Sequence, residues 1–122
     1  MFIFNPKLDA KYLEELYGGD PEITQMMFNL FLTDSIPSWE KVEGLIRDGQ
    51  FAPAGELVHK IKPSFSMSGL TALHPQVQEL EKSLKSGGEY NALIALYEDI
   101  NGQLYDLKAI IQEDIDRLNQ II

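Results

Sequence analysis

The chain has 122 residues and no cysteine. That is enough for one domain around a single core, and it excludes disulfides and thiolate metal sites and fits a reducing, cytoplasmic compartment. Ten basic against 19 acidic residues give a formal net charge of −9, which argues against nucleic acid or an anionic membrane as partner, because both require a basic patch.

No apolar run is long enough to cross a bilayer. The opening Met1-Phe2-Ile3-Phe4 is too short for a signal segment and has no basic stretch before it. These four residues are expected either to cover one end of the fold or to form part of an apolar docking patch. A first short helix is predicted over residues 5 to 17, starting near Pro6 and stopping at Gly18-Gly19, with Leu13, Leu16 and Tyr17 as its buried stripe.

Asp20-Pro21-Glu22 reads as a helix start: an acceptor at the cap, a proline at the first helical position and an acid near the positive end of the dipole. The second helix is predicted from there to Arg47, with Met27, Leu30, Phe31, Trp39, Val42, Leu45 and Ile46 facing the core. Pro37 removes the bond to the carbonyl of Thr33, so a kink is expected, with two helices split at Ser35 as the alternative. A fourth helix starts at Thr71 or His74, buries Leu73, Val77, Leu80 and Leu84, and stops at Gly87-Gly88. His74, before a proline at a helix start, reads as a cap or surface residue. The last helix carries Leu93, Tyr97, Ile100, Leu104, Leu107, Ile111, Ile115, Leu118 and Ile122 in steps of three and four. Its Gly102 costs about 1 kcal/mol relative to alanine, which so long a stripe tolerates. The fold expected is all-α, an antiparallel four-helix bundle with a short additional N-terminal helix, in a single domain over residues 1 to 122.

The third helix, residues 51 to 69, carries the chemistry. Ala54, Leu57, Val58, Ile61 and Phe65 form its core stripe, and helical arithmetic puts His59 roughly 140° away from the centre of that stripe, among Gly55, Lys62, Pro63 and Ser66. Neutral imidazole, with an ordinary pKa of about 6.5, is a nucleophile at physiological pH. Lys62, one turn on, can stabilise an arriving phosphoryl anion. Lys60 projects to the other side and adds general positive field. Gly55, with no side chain, is expected to leave the approach to the imidazole open, and Ser66 to offer a hydroxyl to a phosphoryl oxygen.

The run His59, Ile61, Lys62, Ser64, Gly69 resembles the signature of histidine-containing phosphotransfer (HPt) domains, an H-x-L-K-G core followed ten residues after the histidine by a glycine. Ile61 replaces the usual leucine, and Pro63 stands where that family usually has glycine. Asp9, Leu13, Leu16, Gly19-Asp20-Pro21 and Phe31 look like the family's first two helices, and Leu73 with Leu80-Glu81 like its fourth. The resemblance implies a phosphocarrier in a multistep phosphorelay rather than a turnover enzyme. His59 would take a phosphoryl group from the aspartyl phosphate of a response-regulator receiver domain and pass it to another, with a hybrid sensor kinase as a further partner. It also implies no cofactor and no metal of its own, the magnesium belonging to the receiver. No glycine-rich phosphate loop is present, so no intrinsic kinase activity is expected. The chain is expected to act as a monomer.

Two other readings compete. Glu56-Leu57-Val58-His59 matches the Glu-x-x-His pair of di-iron bundles, but no second copy exists, since Thr71 stands three residues before His74, and His59 faces away from the core. A docking module that kept the fold without the transfer chemistry is favoured only by Pro63.

Overall fold

The computed structural model describes residues 2–122. Met1, grouped above with Phe2 to Phe4, lies outside the described residues. Helices α1 (Ala10–Tyr17), α2 (Pro21–Leu30), α3 (Ile36–Arg47), α4 (Phe51–Met67), α5 (His74–Lys85) and α6 (Tyr90–Asn119) follow in order. A π-helical turn, Phe31–Ser35, joins α2 to α3 without leaving helical backbone, so these two form one rod. The result is the expected four-rod bundle, with α1 as an additional short helix and reversals at short connections. Three of those connections turn on Gly49, Gly69 and Gly87, all at positive φ.

The core is continuous and aromatic at its centre. Trp39 stacks on Tyr97 with ring centroids 4.4 Å apart, and Phe65 meets Trp39 and Phe31 edge-on at 5.7 and 5.5 Å. The polar ends of these rings are satisfied: Trp39 Nε1 donates to Asn101 Oδ1 and Tyr97 Oη to the Trp39 carbonyl. Leu73, Val77, Leu80 and Leu84 are all buried, as their spacing predicts, and so are Ala54, Val58, Ile61 and Phe65 of α4, with Leu57 half-buried. Phe4 is buried, with its ring centroid 6.0 Å from that of Phe28, and Phe2 lies edge-on to Phe4, so this segment covers one end of the bundle, whereas Ile3 points outward.

Four expectations are corrected. The first helix starts at Ala10 rather than near Pro6, because Asp9 Oδ1 accepts from the Tyr12 amide while residues 5 to 8 close a turn. Asp9 is also fixed from outside, its amide donating to the Gly69 carbonyl and its Oδ2 accepting from Thr71 Oγ1. Leu16 is 42% exposed, since a helix this short meets the bundle through Leu13 and through Tyr17, whose hydroxyl donates to the Met67 carbonyl. Phe28 takes the core position expected of Leu30, and the stripe continues through Phe31 and Ser35 to Ile36, Trp39, Val42 and Ile46. Phe28 lies four residues after the buried Thr24 and three before Phe31, on the face of both, whereas Leu30 stands about 100° from Phe31. The π turn adds a residue to the helical repeat and lets the Ile36 amide reach back to the Phe31 carbonyl, so the proline two residues into α3 is absorbed without ending the rod. Ile122, expected at the end of the α6 stripe, lies beyond the helix and is exposed.

Candidate functional site

Helices α4 and α5 make the most extensive helix pair in the bundle, and the site is built across their contact. His59 is on the outer side of α4, with 65% of its side chain exposed. Its Nδ1 lies 2.8 Å from Oε2 of Glu81, a residue of α5 that is only 10% exposed. The ammonium of Lys62, 17% exposed, stands 2.7 Å from Glu81 Oε1 and donates to Gln78 Oε1 at 2.7 Å. Lys85 Nζ donates to Glu81 Oε2 at 2.9 Å.

Three basic groups therefore converge on one buried carboxylate, His59 and Lys85 hydrogen-bonding Oε2 and the Lys62 ammonium ion-paired with Oε1, which has no hydrogen-bond partner of its own. Burial pushes the Glu81 carboxyl up, but Lys62, Lys85 and His59 outweigh that and hold it at about 2. Glu81 is thus ionised at neutral pH. A carboxylate can only accept, so Nδ1 carries a proton, and in the neutral ring Nε2 then keeps its lone pair. Nδ1 is engaged by Glu81, and Nε2 makes no hydrogen bond among the described residues in a side chain that is 65% exposed. The local charge matters as well: two ammonium groups around one carboxylate leave this patch net cationic on a chain whose formal charge is −9.

Lys60 is exposed and, among the described residues, joins none of these contacts. Ser66 is half-buried two turns beyond His59, while the neighbouring Ser64 hydroxyl donates back to the Ile61 carbonyl. Pro63 is exposed on α4, which stays helical through it to Met67. His74 is exposed as the first residue of α5. Gly55 requires a correction: it is buried, and a Cβ there would lie 3.0 Å from Lys85 Cγ and 3.3 Å from Leu84 Cβ. It admits the neighbouring helix, and does not open a path to the imidazole from solvent.

Glu81 and Lys85 are the residues that sequence reasoning did not place in the site. A signal existed for the first: Glu81 lies on the face of Val77 and Leu84, four residues from one and three from the other, where an ionised side chain needs a cationic partner. Gly69, ten residues after His59, has a structural task. Its φ of +81° is a conformation side chains rarely adopt, and a Cβ there would lie 3.1 Å from Leu8 Cβ and 3.3 Å from the Asp9 amide nitrogen, so another residue would be strained.

No helix among the described residues is long and apolar enough to cross a membrane. Comparison with curated proteins and with solved structures gives no match. A protein-family model described as Hpt domain matches residues 26–121, which covers α3 to α6 and so the whole of the His59 site. With that match over most of its length, on an all-helical bundle, the chain belongs to the Hpt domain family and is a histidine phosphotransfer module.

Proposed function

We propose that this protein carries a phosphoryl group on Nε2 of His59 between receiver-domain aspartates in a multistep phosphorelay. The observation that carries the reading is the largely exposed imidazole held at Nδ1 by Glu81, whose other carboxylate oxygen lies 2.7 Å from the Lys62 ammonium.

The step balances without an external base. The Nε2 lone pair attacks the phosphorus of an aspartyl phosphate, the N–P bond forms, and the P–O bond breaks with its electron pair leaving on the aspartate carboxylate. Nδ1 keeps its proton, so the ring becomes cationic, and Glu81 stabilises that charge through the same hydrogen bond. Lys62 offsets the charge on the phosphoryl oxygens. The reverse step returns the group to a second receiver.

A carrier must bring its imidazole into a receiver's cleft, and exposed apolar side chains suit a transient interface of modest area. Tyr12 and Leu16 of α1 and Ile23, Met26 and Leu30 of α2 are the exposed apolar residues on the first two helices, and Ile3 adds to them from the N-terminal segment. Receivers, including one attached to a hybrid sensor kinase, are the partners of this reading, and the cytoplasm is its place.

Incubation with phosphorylated receivers from the same genome tests the proposal. The protein should acquire an acid-labile, base-stable label, and His59→Gln should abolish it with the helical circular dichroism unchanged. Label that survives this substitution, or that sits on an aspartate, overturns the assignment. Binding without any label would leave a docking module.

A further inference from the structure

Lys85 comes from a different helix than His59, yet both meet the same oxygen of Glu81. Its route is visible in the packing. Gly55, one turn before His59 on α4, is where the Lys85 stem crosses, with Cγ at 3.0 Å from the position a Cβ would take. Any larger residue at 55 would push that stem, or α5 itself, away. The ammonium is 47% exposed and borders an open depression shared with Gln78, Glu81 and Lys82.

The two lysines are held unequally. Lys62 is 17% exposed and has Gln78 as a second partner, whereas Lys85 has Glu81 alone and half its side chain in water. Phosphorylation changes what Glu81 needs. Once the N–P bond has formed, the ring is cationic and its Nδ1–H becomes a charge-assisted donor, stronger than that of the neutral ring. The carboxylate can then release one of its other donors to the incoming dianion, and the more exposed one moves at less cost.

Resting on the carrier reading above, we infer that Lys85 is a second phosphoryl-binding cation, delivered from α5 over Gly55, that leaves Glu81 for a phosphoryl oxygen when His59 Nε2 is phosphorylated. Lys62 and Lys85 would then bracket the group from two helices.

Rates of His59 labelling from a phosphorylated receiver test this in the full chain, with circular dichroism recorded for each variant. Lys85→Ala should slow labelling by roughly three- to thirtyfold, less than the loss of a buried donor because the charge is partly screened. Lys85→Arg should stay within about threefold, since it keeps the charge. Lys82→Ala, which removes a neighbouring charge with no contact to Glu81, should change the rate by less than about twofold. The decisive arm is the Glu81→Gln background. A lysine that acts only by holding Glu81 loses its effect there, whereas one that touches the phosphoryl group keeps it. Lysine side-chain nitrogen resonances give an independent readout: that of Lys85 should move on phosphorylation and that of Lys82 should not. A labelled parent with Lys85→Ala at parental rate, an effect that vanishes in Glu81→Gln, or an unmoved Lys85 resonance each overturns this inference and leaves the carrier reading intact. A parent that takes no label overturns both.

Discussion

Glu81 ties the stability of the bundle to pH in a way that can be separated from every other carboxyl. Its carboxyl is held at about 2 against an ordinary 4.5. A group depressed in the folded state contributes stability that is complete above its unfolded value and is lost as pH falls through its folded value. The window for Glu81 therefore runs from about pH 5 down to about pH 2. The contribution at neutral pH is at most about 3 kcal/mol by linkage, and screening at the exposed ends of His59 and Lys85 reduces it. Between pH 7 and about pH 3.5, linkage for these two values removes about 1 kcal/mol of it. Urea unfolding followed by circular dichroism at both pH values, on the parent and on Glu81→Gln, measures this as a difference of differences. The parent should lose about 1 kcal/mol more than the variant over that interval. Asp9, whose carboxyl is lowered by the Thr71 hydroxyl and the Tyr12 amide, contributes to both proteins and drops out. Equal losses in the two proteins would refute the reasoning, because Glu81 would then be no better held in the folded state than in the unfolded chain.

Lys62→Ala should slow transfer to His59 by roughly ten- to a thousandfold, as expected when one charged stabiliser of a developing phosphoryl anion is removed, while His74→Ala should leave the rate at the parental value. Stopped-flow or quench-flow labelling compares them, and equal losses would mean that the active face has been misplaced. Pro63→Gly should destabilise the protein by up to about 1 kcal/mol in urea unfolding, because glycine frees the unfolded chain at a position the bundle has already accommodated; a gain in stability would instead show a strained helix. Its transfer rate should stay within about tenfold of the parent, and a glycine variant that transfers when the parent cannot would show that proline closes the site. Titration with a receiver should move amide resonances around His59 and on α1 and the start of α2, and changes clustered on α6 would reject that docking surface.

Most of the bundle is written in its apolar periodicity. The stripes of α4, α5 and α6 recur at three- and four-residue steps with little interruption, and a stripe that sustained has one way to be buried. The outward position of His59 follows from the same arithmetic, because it needs only the local helix. Boundaries set by contacts distant in sequence were less legible. The start of α1 depends on Asp9 being fixed by Gly69 and Thr71, some sixty residues away, which no local pattern records. The choice of Leu30 over Phe28, by contrast, is a misreading of the periodicity, since Phe28 falls within about 20° of Trp39 and Leu30 lies opposite it. Gly55 shows the limit of local pattern at the site: a missing side chain reads equally well as open space or as room for a neighbour, and only the position of α5 decides. Glu81 belongs to the site because α5 lies against α4 in one register. From the sequence it is an acid on the apolar face of its helix, which calls for a cationic partner without naming one.

On the carrier reading, the phosphoryl group sits on Nε2 of His59 with Nδ1 protonated toward Glu81. Phosphorus NMR of the phosphorylated protein with nitrogen-labelled histidine tests it most directly, because the coupling partner of phosphorus names the nitrogen. One phosphoramidate signal coupled to His59 Nε2 is expected, absent from His59→Gln, with a proton retained on Nδ1. A signal coupled to Nδ1, one assigned to His74, or an acyl phosphate in place of a phosphoramidate would contradict it.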